Sequence, residues 1–335
     1  MHRLRPSALA LPLALAALQP AAGQEASPRR PTHTYSIVAV DSATGQIGVA
    51  VQSHWFSVGS AVAWAEPGVG AVATQSFIEP AYGPRGLSLM RSGLPAPAVL
   101  AALLRADPDS QVRQVAMIDA AGRVAAHTGS RDIPAAGQIV GHGFSVQANL
   151  MRNDRVWPAM ARAFETTAGE LADRLLAALD AAEAAGGDIR GRQSAALLVV
   201  SGNPGAKPWE RLYDLRVDDH ADPLGELRRL VGVARAYQAA TAGDNFMTVG
   251  QVDSALAAYR RASDLLPDSA TNGELIYWVA VTLADLGRVD EAIPLFRRAF
   301  GQDDGWAELL ARLPAVGLLR ADPETVARIR REARP

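Results

Sequence analysis

The sequence predicts an α+β chain in which two stacked β-sheets lie between layers of helix, followed by an all-helical segment. Three observations carry this reading. From residue 35 to about 218, short β-rich runs return on themselves across Gly- and Pro-containing turns. Several of these runs are apolar on both alternating faces, as expected of strands covered on both sides of their sheet. After Asp218 the period of two disappears and only helical spacing remains.

Taken in order, Tyr35-Ser36-Ile37-Val38-Ala39-Val40 is a strand closed by Asp41 and the turn Thr44-Gly45, and residues 47–51 return beside it. Residues 60–65 and 69–74 form a second pair around Pro67-Gly68. Further strands are expected over 114–118, 124–128, 138–140, 144–148, 195–200 and 212–217. Helices are expected in pairs, at 87–92 with 95–105 and at 156–164 with 168–185. Thr167 and Glu170 have capping-box spacing, Leu171, Leu175, Leu179 and Ala182 recur at helical spacing, and Gly186-Gly187 ends the run.

Asp222-Pro223 reads as a cap plus first-turn proline. Gly243, Phe246, Gly250, Ala255, Tyr259, Ala262 and Pro267 then have the spacing of a tetratricopeptide repeat. Leu283, Gly287, Ala292, Phe296 and Ala299 repeat it 37 positions later, with the excess over 34 placed in the linker at 269–273. Residues 224–242 and 306–330 are expected to act as flanking, capping helices.

The chain of 335 residues carries a net charge of −2 with 49% hydrophobic residues, enough for a packed core. That balance argues against a nucleic-acid binder, which usually presents a basic face. Cysteine is absent, which removes disulfides, thiol nucleophiles and cysteine-ligated metals. Lys207 is the only lysine. Residues 1–23 combine His2, Arg3 and Arg5 with a short Ala/Leu run and the small-residue exit Ala21-Ala22-Gly23, the pattern of a secretory signal peptide. Residues 24–31 read as a spacer. A periplasmic or secreted protein with no stable membrane insertion after cleavage is expected, because no later segment approaches the roughly 20 apolar residues of a membrane span.

Gly68-Val69-Gly70 fits a loose dinucleotide fingerprint, but strand, not helix, follows it. There is no Walker A loop and no paired-histidine zinc helix, and Asp218, Asp219, His220 and Asp222 read as a solvated strand exit. No cofactor and no metal is therefore expected. Three polar stretches interrupt apolar runs near strand ends: Gln52-Ser53-His54-Trp55, Gln75-Ser76-Phe77 with Tyr82-Gly83-Pro84-Arg85, and Arg190-Gly191-Arg192-Gln193-Ser194. Polar groups converging at strand ends commonly line a pocket.

These stretches, with Thr34-Tyr35-Ser36-Ile37-Val38-Ala39, Ala73-Thr74-Gln75-Ser76 and Gly143-Phe144-Ser145-Val146-Gln147-Ala148-Asn149, resemble an uncharacterised bacterial family, domain-of-unknown-function family 1028 of the N-terminal-nucleophile (Ntn) hydrolase superfamily. The resemblance spans residues 32–220 and implies a four-layer αββα sandwich. Some relatives carry a peptidoglycan-binding segment at the C-terminus; here residues 223–335 read as tetratricopeptide-like helices instead. The superfamily implies that a Thr, Ser or Cys leading the mature chain attacks an amide, with its own α-amine as base. Thr34 matches that position. Signal cleavage after Gly23 leaves about ten residues ahead of it, so a second cut between His33 and Thr34 is required. The lysine that the superfamily's threonine proteases use about thirty residues on has no match here, where Glu66 stands.

Two functions follow as expectations. One is an exported amidohydrolase acting on a cell-envelope amide, with Thr34 as nucleophile, Ser53, His54 and Asn149 beside it, and Gln75, Ser76, Tyr82, Arg85 and Arg192 lining the substrate pocket. The other is a non-catalytic module on the same fold that holds a small-molecule or envelope-derived ligand. In either case residues 223–335 are expected to recruit a protein partner.

Overall fold

A computed structural model describes residue 32 and residues 34–334; the signal peptide and spacer assigned to residues 1–31 lie outside it. Its strands form two antiparallel sheets. The larger has the order β10-β9-β2-β1-β8-β7, built from β1 (Thr34–Val40), β2 (Ile47–Ser53), β7 (Gly137–Gly141), β8 (Phe144–Ala148), β9 (Ser194–Val200) and β10 (Arg211–Val217). The smaller has the order β3-β4-β5-β6, from β3 (Ala63–Glu66), β4 (Gly70–Ser76), β5 (Arg113–Asp119) and β6 (Val124–Thr128).

Alternation along each strand builds the layers. In β1, Val38 packs with Val49 and Val51 of β2 against Ala71, Ala73 and Ile118 of the smaller sheet, so one face of each sheet meets the other. Ile37 and Ala39 point the opposite way, into a core with Leu175 and Leu179 of α5 (Leu171–Ala184) and Met160 of α4 (Val156–Thr166). The outer face of the smaller sheet packs Val72, Val115 and Met117 against α2 (Tyr82–Arg91) and α3 (Ala96–Ala106). The layer order is thus helices, sheet, sheet, helices.

Most predicted strands fall within a residue or two of their expected bounds. Four local readings change. Residues 60–62, read as strand, lie in the short helix α1 (Gly59–Val62), because the chain must turn from one sheet to the other before β3 begins. Helix α2 starts at Tyr82, so Tyr82-Gly83-Pro84-Arg85 is its first turn and not a loop; Pro84 fits there because first-turn amides need no partner. The capping box does not form. Thr167 ends α4, and Glu170 precedes α5 without a side-chain cap bond, its carboxylate drawn to Arg235 at 2.8 Å. Finally, the expected capping helix and first repeat helix are one unbroken helix, α6 (Pro223–Thr248), whose N-terminus Asp222 caps from Gly225 N–H.

The helical segment continues with α7 (Val252–Leu265), α8 (Glu274–Asp285), α9 (Val289–Phe300), α10 (Gly305–Leu310) and α11 (Pro323–Glu332). The hairpins α6–α7 and α8–α9 turn at Gly250 (φ 74°) and Gly287 (φ 76°), two of the three glycines in the expected repeat spacing. Ala255, Tyr259 and Ala262 are buried in the first hairpin, as are Ala292, Phe296 and Ala299 in the second. No helix among the described residues is long and apolar enough to cross a membrane.

Candidate functional site

Thr34 opens β1, which lies inside the larger sheet between β2 and β8. The antiparallel register sets Thr34 opposite Ser53 of β2, and Ser53 opposite Ser194 of β9. On the other side, Asn149 donates its main-chain N–H to the Thr34 carbonyl at 3.1 Å. Directly opposed residues share a face, so a row Ser194–Ser53–Thr34 runs across β9, β2 and β1 at one end of the sheet and continues to Asn149, the residue after β8. All four are fully buried. Thr34 follows the same alternation as Val38 and therefore faces the smaller sheet.

The space between the sheets is polar at this end. Gln75 Nε2 of β4 donates to the Thr34 carbonyl at 3.2 Å and to Gln114 Oε1 at 2.6 Å. Asn149 Nδ2 donates to the same Gln114 oxygen at 2.9 Å. Ser36 Oγ donates to Gln75 Oε1 and accepts from Gln147 Nε2, both at 2.6 Å. Such a network between two sheets holds the first turn of β1 rigidly, because each buried amide left without a partner would cost about 1–3 kcal/mol. Thr34 Oγ donates to the Thr32 carbonyl at 2.9 Å and lies 3.4 Å from Ser53 Oγ.

Ser76 ends β4 in a left-handed conformation (φ 69°), unusual for a non-glycine residue. Its hydroxyl donates to Asp132 Oδ1 at 2.7 Å. Burial pushes the Asp132 carboxyl above its ordinary range, although the bonds from Ser76 and Gly129 act the other way. Asp132 Oδ2 is buried with no hydrogen-bond partner among the described residues.

Of the residues singled out from the sequence, Thr34, Ser53, Asn149, Gln75 and Ser76 come together here. The others do not. His54 follows the last residue of β2 and is exposed; its ring nitrogen lies 3.4 Å from the Arg192 carbonyl and its main-chain N–H donates to Asp188. Arg192 is paired with Glu183 and Asp222 on that same outer surface. Tyr82 and Arg85 line a separate cleft of about 180 Å³ with Leu103 and Asp107. There burial and the neighbouring Asp107 raise the Tyr82 phenol. Burial also works to raise Asp107, but the hydrogen bond from Arg113 wins and holds it below the usual carboxylate range. The acidic group after β10 is engaged by neighbours: Asp218 accepts from Ser57, Asp219 from Gln193, and Asp222 caps α6.

Gln114, Gln147 and Asp132 belong to the site and were not predicted. Two glutamines sit at inward positions of strands that otherwise read as apolar, and that mismatch was the available signal. Gln52 is a further buried amide, without a partner for either side-chain atom among the described residues. It lies opposite Tyr35 on the helix-facing side of the sheet, away from Thr34. Burial and Glu183, which accepts the Tyr35 hydroxyl at 2.8 Å, push that phenol well up.

The family model described as a family of unknown function, DUF1028, matches residues 34–227. The match begins on Thr34 and ends inside α6. The crystal structure of protein SPO2555 from Silicibacter pomeroyi, a DUF1028 protein, is similar at 33% identity with a TM-score of 0.54, over 64% of this chain and 88% of that chain. No curated protein matches. A family model that covers more than half of the sequence, together with a structural relative matched over most of its own length, places the chain in one group: it belongs to the DUF1028 family.

Proposed function

We propose that this protein is an exported Ntn-type amidohydrolase whose nucleophile is Thr34, freed by a cut after His33. The observation that carries the reading is the position of Thr34. It is the first residue of an interior strand, in a buried row of hydroxyls and amides between two sheets. With Lys207 the only lysine and exposed on a distant loop, the base beside Thr34 is its own α-amine.

The chemistry then runs in two halves. Thr34 Oγ attacks an amide carbonyl and passes its proton to the α-amine. The tetrahedral centre expels the leaving amine, which takes that proton, and an ester remains on Oγ. Water attacks the ester, the α-amine again accepting the proton and returning it to Oγ as the acid is expelled, which restores the free threonine. Ser53 lies beside the reacting hydroxyl, and Asn149 N–H and Gln75 Nε2 hold the Thr34 carbonyl, so the nucleophile is positioned before substrate arrives. The basic start and short apolar run of residues 1–23 support export. The two helical hairpins, 37 residues apart in phase, support a tetratricopeptide-like partner-binding segment.

N-terminal sequencing of the exported protein tests the reading. It is expected to find Thr34 leading the chain, with Thr34→Ala abolishing amide hydrolysis and Thr34→Ser keeping a measurable fraction. A chain that begins near Gln24 and stays so removes the required amine. One observation favours a non-catalytic binding module instead: within this chain Thr34 is wholly enclosed and its hydroxyl is committed to the Thr32 carbonyl. Persistence of that state in the exported protein is the result that selects the second reading.

A further inference from the structure

Strand β4 outlasts its neighbour β3. The β3–β4 pairing runs only from Ala63↔Ala73 to Glu66↔Gly70. Thr74, Gln75 and Ser76 continue beside β5, up to Ser76↔Arg113, with their other edge past the end of β3. Thr32 occupies that edge. Its N–H donates to the Ser76 carbonyl at 2.6 Å and its carbonyl accepts from Ser76 N–H at 3.0 Å. Thr32 is 3% exposed. Its carbonyl also accepts from Thr34 Oγ at 2.9 Å, so the space it fills lies directly beside the proposed nucleophile.

We infer that the main chain of Ser76 is the docking edge for the acyl side of the substrate, and that the substrate is therefore a peptide. This inference rests on the reading of Thr34 as a freed nucleophile. Once the leader is cut and leaves, the N–H and carbonyl of Ser76 lose the partners that Thr32 supplies. A peptide laid along the same path restores both bonds through the residue two positions before the attacked carbonyl bond. A simple amide without a second peptide unit restores neither. This is strand addition to an open sheet edge, in which main-chain bonds supply affinity.

Two further features fit a docking edge. Ser76 is fixed in its left-handed conformation while its hydroxyl is held by Asp132, so its N–H and carbonyl are presented in one orientation. Asp132 also keeps a buried oxygen, Oδ2, for which the described residues supply no donor.

The test uses the full chain with residues 29–33 replaced by a protease site, cut after folding so that Thr34 leads. The probes are acetyl-Pro-Thr-His-amide, which copies residues 31–33, and the depsipeptide in which the threonine N–H is an oxygen. The amide is expected to bind at least ten-fold tighter by calorimetry. Equal affinity, or binding of neither probe, overturns the docking edge. The 4-nitroanilides of the same pair separate this inference from the hydrolase reading. Equal hydrolysis of both anilides sinks the edge and leaves the hydrolase standing. A ten-fold binding difference without hydrolysis of either anilide keeps the edge and sinks the hydrolase.

Discussion

Ser76 bears two opposed demands that mutation can separate. Its positive φ costs on the order of 1 kcal/mol for a non-glycine residue, while its hydroxyl serves a buried carboxylate. Ser76→Ala keeps the strain and loses the bond; Ser76→Gly loses the bond and relieves the strain. Both variants are expected to be less stable than the parent in urea, with Ser76→Ala the lower by about 1 kcal/mol. Asp132 sets a pH dependence whose sign follows from its raised folded value. A carboxyl that titrates higher in the folded state favours folding when protonated. That contribution is present at and below the ordinary aspartate range, about pH 3.9, and is lost as pH rises through the folded value. Asp132→Asn is therefore expected to flatten the fall in urea midpoint between mildly acidic and neutral pH; an unchanged slope would assign it to another group. The sequence made Ser76 visible, because a polar residue interrupts an apolar run there. It hid Asp132, which reaches β4 from the loop after β6 through a contact 56 residues apart. His54 and Arg192 show the opposite error. Their places in polar stretches at strand ends suggested membership of the site, but His54 follows the end of β2 and Arg192 precedes the start of β9, where no strand alternation aims them inward. The strand register draws Ser53 and Ser194 inward while His54 and Arg192 remain on the outer surface.

At the scale of elements, strands were legible because burial on both faces leaves continuous apolar runs, whereas helix starts were not. α1 carries Val and Ala in a pattern shared with strands, and the first turn of α2 holds Gly83-Pro84, residues that usually mark a loop. Several positions of the expected repeat spacing have a packing reason. Gly243 is the clearest: a Cβ there would lie 2.4 Å from Tyr259 Cε1. The ring cannot withdraw, since Tyr259 is buried and its hydroxyl donates to Asp244 at 2.6 Å. In an exposed helix interior, Gly→Ala stabilises by up to about 1 kcal/mol. Here the overlap between α6 and α7 reverses the sign. Gly243→Ala is expected to destabilise by about 1–3 kcal/mol in a thermal or urea melt, and Tyr259→Leu in the same chain to recover part of the loss. A Gly243→Ala chain as stable as the parent would show that these helices pack more loosely than the ring contact requires.

At the scale of the whole molecule, the change in sequence period near residue 220 marks a change of architecture but not a place to cut. α6 starts in one core and ends in another. Leu224, Leu227 and Val231 are buried with Tyr35, Ile37, Leu175 and Val217 on the outer face of the larger sheet. Further along, Arg235 pairs with both Glu170 and Asp173 at 2.8 Å, and Gln238 donates to the Leu212 carbonyl at 2.6 Å. From Ala236 onward the buried positions of α6 are small, Ala236 and Gly243, and Ala236 packs with Ala262 and Leu275 of the helical segment. Burial of one Leu or Val side chain is worth about 1.5–3 kcal/mol, so losing three of them removes on the order of 6 kcal/mol. That is a large part of the 5–15 kcal/mol by which domains are usually stable. A chain ending after residue 222 is therefore expected to lose its cooperative urea transition and bind a hydrophobic dye. A chain ending after residue 248 keeps Leu224, Leu227 and Val231 in place while baring Ala236, Ala239, Ala240 and Met247, and is expected to keep that transition. The family match points the same way, since it runs past the end of β10 to residue 227, into the first two turns of α6. Equal urea midpoints for the two truncations would mean that the sandwich closes without α6 and that the helix belongs to the tail alone.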